Sequence, residues 1–247
     1  MKLLLNNEYK KIYSDKIDQD LNINYGLIKK EEYNSINEGL IKTHKGKNFL
    51  IKKPDFKDLL FSIKRGPQII TLKDAGFIAS NLGLMEGFRV LDSGGGSGSI
   101  SCFFANIVGK KGRIVSVERN EKFCQIIKKN SELFGFENIE VINKDLSEYS
   151  SKKLFDAINI DLPNPWDYSD KISSLLKNGS RLTVYVPNTT QLTLSQKEFS
   201  TKKFKLDHVF ELILREWDVN DWVCHPKFDM LGHTGFIMCF RKIEVND

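Results

Sequence analysis

The sequence predicts a two-part α/β protein, in which a small β-rich domain precedes a doubly wound parallel sheet with a C-terminal antiparallel hairpin. From Asp74 onward, apolar strand-like runs alternate with helical stretches, which is typical of βαβ units around a buried sheet. Residues 1–66 instead contain short alternating segments separated by Asn, Asp, Gly and Pro. We therefore expect one domain over residues 1–66 and a second over residues 67–247.

Five apolar runs predict the parallel strands of the second domain. They are Phe88–Asp92, Arg113–Glu118, Ile139–Ile142, Asp156–Asp161 and Arg181–Val186. The predicted helices lie at 74–83, 98–108, 120–134, 167–177 and 189–199. Two later strand-like runs, Val209–Trp217 and Thr234–Arg241, have no convincing helix between them. We expect these two runs to pair antiparallel at the edge of the sheet.

The strands of the first domain are predicted to be short. The candidate segments are Lys10–Tyr13, Gly26–Lys29, Leu40–Thr43, Phe49–Lys52 and Leu59–Lys64. Turn-prone residues such as Gly46, Asn48 and Pro54 separate them, which is typical of a small β-rich module.

The composition predicts a globular cytoplasmic protein. Of the 247 residues, 40% are hydrophobic, yet no apolar run is long enough to cross a membrane, and the start MKLLLNNEYKK is too polar for a signal peptide. Two histidines, His225 and His233, lack a third metal ligand at a suitable spacing. The four cysteines show neither CxxC pairing nor zinc spacing, so we expect reduced thiols, no disulfide framework and no metal site.

The positive charge is concentrated in the first domain. Residues 1–70 contain 14 Lys and Arg against 9 Asp and Glu, whereas residues 71–247 contain 23 of each kind. Such asymmetry indicates a surface for a polyanion, although a solvated lysine-rich face would give the same count. The candidate nucleic-acid contacts in this region are Lys42, Lys45, Lys47, Lys52, Lys53 and Arg65.

A glycine-rich turn follows the first strand of the second domain. The stretch Val90-Leu91-Asp92-Ser93-Gly94-Gly95-Gly96-Ser97-Gly98-Ser99 allows the backbone to turn tightly, and the helix after it offers free N–H groups. Glu118 closes the next apolar run, where a carboxylate can accept both ribose hydroxyls of a nucleoside. These two features predict a nucleotide-like cofactor, and a dinucleotide and S-adenosylmethionine both satisfy them.

Two further carboxylates follow later strands. Asp145 comes after the third strand, where it can accept from an exocyclic adenine amine. Asp161 ends the fourth strand and begins the stretch Asp161-Leu162-Pro163-Asn164-Pro165-Trp166, a loop stiffened by two prolines. Because carboxyl ends of parallel strands meet at one edge of the sheet, Asp161 is expected beside the cofactor. A rigid polar and aromatic loop suits a flat base that carries an amine.

Taken together, these residues resemble a family of RNA-modifying enzymes. The region from Gln68 to Arg241 resembles the bacterial and archaeal tRNA (adenine-N1)-methyltransferases, which modify the T-loop adenosine at position 58 and in some archaea also at 57. The matching stretches are Arg65-Gly66-Pro67-Gln68-Ile69-Ile70 before Lys73-Asp74-Ala75, the glycine loop, Asp161–Trp166, Val186-Pro187-Asn188, Arg215-Glu216-Trp217, His225-Pro226 and Gly232-His233-Thr234-Gly235-Phe236. One departure is Thr71-Leu72, where bacterial members tend to have Tyr-Pro.

The resemblance implies a class I methyltransferase fold, S-adenosylmethionine as cofactor, tRNA as substrate and a homotetramer. The residues that would cradle the methionine part of the cofactor are Gly94, Gly96, Ser97, Gly98, Ser99 and Ile100. The resemblance places the ribose at Glu118, the adenine ring at Asp145 and Leu146, and the closing contacts at Gln68 and Ile70. Asp161 would lie against both cofactor and target base and is the expected catalytic residue. Trp166 is a further candidate for contact with the base.

Three alternatives remain at this stage. A class I methyltransferase acting on a corrin-pathway intermediate or on protein isoaspartate would share the glycine loop and Glu118, but would not explain the Asp161–Trp166 loop with a basic first domain. A non-catalytic tRNA-binding subunit would be expected to have lost the cofactor glycines and Asp161. A dinucleotide oxidoreductase fits the late antiparallel strands less well.

Overall fold

The computed structural model describes residues 1–64, 66, 68–201 and 203–244. The chain forms two compact units, Met1–Ile63 and Lys64–Asp247, which we call the first and second units. Arg65, a predicted nucleic-acid contact, lies outside the described residues. Within the described ranges, every helix is too short or too polar to cross a bilayer.

The first unit is built on a four-stranded antiparallel sheet. Its elements are β1 (Lys2–Asn6), β2 (Tyr9–Tyr13), β3 (Leu21–Ile23), β4 (Gly26–Ile28), α1 (Lys30–Ser35), β5 (Gly39–Lys42), β6 (Asn48–Lys52) and α2 (Phe56–Ser62). The sheet order is β2-β1-β6-β5, and β3 and β4 form a separate hairpin. Leu4, Ile28, Tyr33, Phe49 and Ile51 are fully buried between these elements and form the core of the unit.

The prediction of a strand at Leu59–Lys64 was wrong, because α2 occupies most of this segment. Asp55 caps the helix by accepting from the Asp58 amide at 2.8 Å, while the Asp58 side chain accepts from the Asp55 amide at 3.1 Å. This reciprocal capping box satisfies two N–H groups that would otherwise lack partners and fixes a helix start. Pro54 directly before it prevents continuation of β6.

The second unit contains a mixed seven-stranded sheet with helices on both faces. Its helices are α3 (Leu72–Leu82), α4 (Ser99–Val108), α5 (Glu121–Phe134), α6 (Ser169–Leu175) and α7 (Thr189–Ser200). Its parallel strands are β7 (Arg89–Ser93), β8 (Arg113–Glu118), β9 (Ile139–Asn143), β10 (Phe155–Ile160) and β11 (Leu176–Val186). The five strands predicted from apolar runs, and with them the predicted fold class, are thus confirmed.

The C-terminal part of the sheet is antiparallel, as predicted. The remaining strands are β12 (Phe204–Glu211), β13 (Trp217–Asn220), β14 (Val223–Pro226) and β15 (Phe236–Lys242). β15 pairs antiparallel with both β11 and β12, which gives the order β12-β15-β11-β10-β7-β8-β9.

The predicted bounds of the strand that pairs with β15, Val209–Trp217, were wrong, because this strand is β12 (Phe204–Glu211). The strand begins at Phe204 instead, because the Phe204 ring packs edge-on against Phe199 and Phe240 in the core. The chain between this strand and β15 carries the separate hairpin of β13 and β14. We call residues 212–234 the hairpin arm.

The topology of the sheet places a crevice at the carboxyl ends of β7 and β10. From β7 the chain adds β8 and β9 along one edge of β7, and it then returns to add β10 and β11 along the other edge. Loops leaving the two neighbouring strands therefore diverge, which is where open α/β sheets bind ligands. Ser93 and Asp161, at these two strand ends, are linked by a 2.9 Å bond from the Asp161 amide to the Ser93 carbonyl.

Candidate active site

A pocket of about 530 Å³ opens at the carboxyl ends of the parallel strands. Most of the residues predicted to bind the cofactor lie around it. Those lining the pocket are Gln68, Ile70, Gly94, Gly96, Ser97, Ser99, Ile100, Glu118, Asp145, Leu146 and Asp161. Two predicted residues, Gly98 and Trp166, do not line it. The structure therefore brings segments from five separate parts of the second unit to one cavity.

The glycine loop brings its backbone very close to the end of β10. Gly94 has a φ of +87°, and a Cβ at this position would lie 1.9 Å from the Asp161 carbonyl oxygen. Gly95 is equally crowded, because its Cβ would lie 2.3 Å from the Ser116 hydroxyl oxygen. Only glycine fits at either position. Gly98, with a φ of +76°, acts instead at the N-terminus of α4, where it turns the chain into the helix.

Glu118 is held in one orientation at the end of β8. Its carboxylate accepts from the Gly96 amide at 3.0 Å and from the Asn120 amide at 2.8 Å. The first of these bonds ties the carboxylate to the glycine loop itself. Each carboxylate oxygen retains acceptor capacity toward the pocket, so two neighbouring hydroxyls could be bound there.

Asp145 is also held by hydrogen bonds from its own neighbourhood. Its carboxylate accepts from the Ser147 hydroxyl at 2.7 Å, from the Ser147 amide at 3.0 Å and from the Tyr168 hydroxyl at 3.1 Å. The bonds from Ser147 are the main reason that the pKa of Asp145 lies below its ordinary value. Sequence reasoning missed Tyr168, although it follows the Asp161–Trp166 loop by only two residues.

Asp161 differs from the other two carboxylates that line the pocket. Among the described residues, none donates a hydrogen bond to its side chain, and its pKa is raised to about 7, first by burial and then by the nearby charge of Asp92. Its acceptor oxygens are therefore available to a bound molecule. A carboxylate in this position can bind an amine and can stabilise a positive charge that develops beside it.

Asp92 lies in a buried row of polar side chains beneath the pocket. Neighbouring strands place Ser116, Asp92, Asn159 and Thr183 side by side in register. The Asp92 carboxylate accepts from Ser101 and from Asn159, whose amide oxygen in turn accepts from Thr183. Burial nevertheless raises the pKa of Asp92 to about 6. The apolar pattern that predicted the strand Phe88–Asp92 did not indicate this row of polar side chains.

Three residues that sequence reasoning did not assign to the site, Tyr185, Gln191 and Thr234, also line the pocket, although Thr234 belongs to one of the stretches that carry the family resemblance. Gln191 donates to the Pro163 carbonyl at 2.7 Å and so holds the loop after Asp161. Tyr185 and Thr234 form the adjoining wall together with Thr71, the residue at which the sequence departs from the bacterial pattern. These side chains come from β11, α7 and the end of the hairpin arm, which no local motif connects.

The predicted nucleic-acid contacts of the first unit lie on or near the hairpin of β5 and β6. Lys42, Lys45 and Lys53 are exposed, and Lys52 is half-buried. The exposed Lys47 forms an ion pair with Glu8 at 3.1 Å, which partly neutralises its charge. The structure thus gathers these lysines in one small region of the first unit.

Comparison with known proteins identifies the family. The family model described as tRNA methyltransferase complex GCD14 subunit matches residues 58–236. The tRNA (adenine(58)-N(1))-methyltransferase TrmI of Thermus thermophilus is 32% identical over 206 residues, covering 83% of this chain and 81% of that protein. The tRNA (adenine(57)-N(1)/adenine(58)-N(1))-methyltransferase TrmI of Methanocaldococcus jannaschii is 28% identical over 97% of this chain and 94% of its own length.

A solved structure shares the fold of this chain. The crystal structure of a SAM-dependent O-methyltransferase from Thermotoga maritima matches with a TM-score of 0.90 and 29% identity, over 100% of this chain and 94% of the other. The resemblance predicted from the glycine loop, the Asp161–Trp166 stretch and the late His-Thr-Gly stretch is confirmed. The chain belongs to the GCD14 family of tRNA methyltransferases and has the fold of S-adenosylmethionine-dependent enzymes.

Proposed function

We propose that the protein transfers a methyl group from S-adenosylmethionine to N1 of a T-loop adenosine in tRNA, at position 58 and, as a second candidate, at 57. The observation that carries this proposal is the Asp161 carboxylate. It lines the same pocket as the glycine loop and, within the described chain, receives no hydrogen bond. The match to the TrmI relatives supports adenine N1 as the acceptor atom.

The residues of the pocket fit the cofactor. The glycine loop lines the pocket, and because it has no room for a Cβ at Gly94 or Gly95 its backbone lies directly against the ends of the neighbouring strands. We assign the methionine part to this loop, the ribose hydroxyls to Glu118, and the adenine ring to Asp145 and Leu146. S-adenosylmethionine supplies an electrophilic methyl group on a sulfonium sulfur. Gln68 and Ile70 would close the pocket from the N-terminal side.

The protein does not need a strong base for this reaction. Adenine N1 is unprotonated near neutral pH, so its lone pair can attack the methyl group directly, and the enzyme contributes mainly position and electrostatics. The base becomes cationic as the new bond forms. Ionised Asp161, by accepting from the exocyclic amine, would bind the base more strongly as this charge develops, which lowers the barrier.

The target nucleotide must leave the tRNA fold to reach such a pocket. We infer that the T-loop adenosine is extruded from the folded tRNA into the pocket, and extruding a base costs roughly a few kcal/mol. Lys42, Lys45, Lys47, Lys52 and Lys53 would bind phosphates and release counterions, which offsets part of that cost. Arg65 and Trp166 remain candidates for the same substrate. Cytoplasmic tRNA is the expected substrate pool.

We also propose that the protein assembles as a homotetramer through its hairpin arm. In the single chain, Trp222 is 95% exposed and Phe228 is 93% exposed, and Val219, Leu231 and Ile213 are also largely uncovered. Large exposed apolar side chains concentrated in one segment are typical of a protein interface. A second copy of the chain is the partner that we expect to cover it.

The decisive experiment is methyl transfer from labelled S-adenosylmethionine to unmodified tRNA, followed by nucleoside mass spectrometry. We expect 1-methyladenosine, and mapping of the product would separate one target position from two. If the protein bound the cofactor but left tRNA unlabelled, the substrate would have to be a small molecule or a protein. Light scattering of the same preparation would measure the number of chains in the assembly.

A further inference from the structure

Lys73, at the start of α3, has an unusually complete set of hydrogen bonds for a lysine. Its side chain is 15% exposed, and its ammonium group donates to Asp74 Oδ1 at 2.7 Å, to Thr234 Oγ1 at 2.7 Å and to the Leu212 carbonyl at 2.8 Å. A lysine ammonium has three N–H donors, and here each has its own acceptor. Such a group has no donor left for a ligand, so its role is to hold other groups in place.

Asp74, the ion-pair partner of Lys73, accepts hydrogen bonds from two further residues. It is fully buried, and its Oδ2 atom accepts from the Thr71 hydroxyl at 2.7 Å and from the Tyr185 hydroxyl at 3.4 Å. Thr71, Tyr185 and Thr234 all line the pocket. Lys73 and Asp74 thus stand behind the pocket wall and bind the polar atoms of three lining residues.

This cluster connects the polar atoms of the wall. The Thr234 oxygen accepts from Lys73 at 2.7 Å, and the Tyr185 hydroxyl lies 3.4 Å from Asp74 Oδ2. The ring of Tyr185 is fixed as well, because a Cβ on Gly235 would lie 2.5 Å from its Cζ atom. Ile160 of β10 pairs with Val184 of β11, so the next residues, Asp161 and Tyr185, come together at the strand ends and both line the pocket.

The same lysine connects this wall to both ends of the hairpin arm. Leu212 begins the arm and Thr234 ends it, and Lys73 binds one atom of each. A second connection lies next to it, where His233 contacts Glu211 and also the Pro187 carbonyl at 2.7 Å. The base of the arm and the wall of the pocket therefore form one hydrogen-bonded structure.

We propose that Lys73 is a positioning residue for methyl transfer, because it orients Thr234 directly and Thr71 and Tyr185 through Asp74 on the wall beside Asp161. This inference rests on the proposed function. It predicts that loss of the Lys73 ammonium lowers turnover while leaving cofactor binding by the glycine loop, Glu118 and Asp145 almost unchanged. A purely structural buried ion pair would instead affect stability and leave the turnover of the folded enzyme intact.

The experiment compares Lys73→Met with a matched control, Lys242→Met, in the full chain. Lys242 is also buried, and its ammonium donates to the Ser173 and Leu176 carbonyls at 2.6 and 3.0 Å. None of these three residues lines the pocket. Both variants lose a largely buried ammonium group that donates to at least one backbone carbonyl and forms an ion pair with a carboxylate, Asp74 for Lys73 and Glu244 for Lys242. Thermal unfolding, the dissociation constant for S-adenosylmethionine, and kcat and KM for unmodified tRNA would be measured for each.

We expect Lys73→Met to lower kcat by about 10- to 100-fold, with cofactor affinity changed by less than about twofold. Lys242→Met should lower the unfolding temperature but keep kcat within about twofold of wild type. Thr234→Val removes one acceptor of the Lys73 ammonium at nearly constant volume. If Lys73 acts through Thr234, the double variant should lose little more activity than Lys73→Met alone.

Two outcomes would overturn the inference: an unchanged kcat in folded Lys73→Met, or independent, multiplying losses in the double variant. If Lys73→Met does not fold, Thr234→Val decides the question, and an unchanged kcat in that variant would count against the inference. The wild-type enzyme separates this test from that of the proposed function. Absence of 1-methyladenosine with wild type contradicts the function, whereas a normal wild type with a fully active Lys73→Met contradicts only the role of Lys73.

Discussion

The pocket of the second unit and the hairpin arm both contain side chains in an unfavourable environment, but only those around the pocket have partners within the chain. Around the pocket, buried polar groups such as Asp92, Glu118 and Asp74 have hydrogen-bond partners within the same chain. On the arm, large apolar side chains such as Trp222 and Phe228 are left almost fully exposed. The chain thus preorganises the pocket by itself, whereas the exposed side chains of the arm support our proposal that a second copy covers this surface.

Asp161 is the exception within the pocket, and its removal should have the largest effect. Asp161→Ala removes the carboxylate that is free to accept from the target amine, so we expect kcat to fall by about 10³-fold. The dissociation constant for S-adenosylmethionine should rise by no more than about threefold, because the glycine loop and Glu118 remain. Single-turnover methylation of tRNA and equilibrium binding of labelled cofactor measure the two quantities.

Asp145 provides the matched control for that experiment. Asp145→Asn changes a carboxylate that lines the same pocket but is committed to Ser147 and Tyr168. We expect this variant to weaken cofactor binding more than turnover at saturating cofactor. If Asp161→Ala abolished cofactor binding altogether, the assignment of Asp161 to the target base would be wrong.

The hairpin arm should govern assembly. Replacement of both Trp222 and Phe228 by Ser removes the two most exposed aromatic groups, and we expect the assembly to dissociate to smaller species. Sedimentation or light scattering measures this change. The control is Met85→Ser, because Met85 is 61% exposed but lies outside the arm. A double variant with the same mass as wild type would show that the arm is not the interface.

The lysines of the first unit should affect tRNA binding without affecting the cofactor. Charge reversal at Lys45, Lys47, Lys52 and Lys53 should weaken tRNA binding by about tenfold or more and reduce the salt dependence of binding, because fewer counterions are released. Lys110→Glu with Lys111→Glu is a control in the second unit. Equal losses in both variants would indicate a general charge effect and argue against a specific surface on the first unit.

Sequence reasoning reached the parallel strands because their signal is local. Each strand, such as Arg89–Ser93 or Phe155–Ile160, is a short buried apolar run bounded by turn residues. It failed at Leu59–Lys64, where a capping box between Asp55 and Asp58 outweighs a strand-like pattern. It also misplaced the strand before the hairpin arm, because apolar residues that stay exposed on the arm, such as Ile213 and Leu214, cannot be distinguished in sequence from those of a core.

The pocket could be anticipated only in part, for a related reason. The glycine loop, Glu118 and Asp161 each lie at the end of a predicted strand. Because the carboxyl ends of parallel strands meet at one edge of the sheet, the sequence predicts that these residues share a site. Thr234 reaches the pocket wall through a hydrogen bond from Lys73, 161 positions earlier, and Leu212 lies 139 positions from the same lysine. No local pattern encodes such contacts. The roles assigned to the individual pocket residues stay predictions until the variants are measured.

The smallest expected effect is a pH dependence that sharpens the contrast between Asp161 and the hydrogen-bonded carboxylates. Burial raises the pKa of Asp161 to about 7 and that of Asp92 to about 6. The folded protein therefore retains protons that the unfolded chain, with ordinary carboxyl groups, releases near pH 4. The sign follows directly: these two groups lower the free energy of unfolding as pH rises from about 4 to 7.

Activity should change in the opposite direction, because only ionised Asp161 can accept from the target amine. We expect kcat/KM for tRNA, measured at saturating cofactor, to fall by up to about tenfold between pH 7.5 and 6 as Asp161 becomes protonated. Asp145→Asn should leave the inflection in place, since hydrogen bonds keep the pKa of Asp145 below its ordinary value. A flat profile of kcat/KM for tRNA between pH 6 and 8 would mean that ionisation of Asp161 does not control methyl transfer.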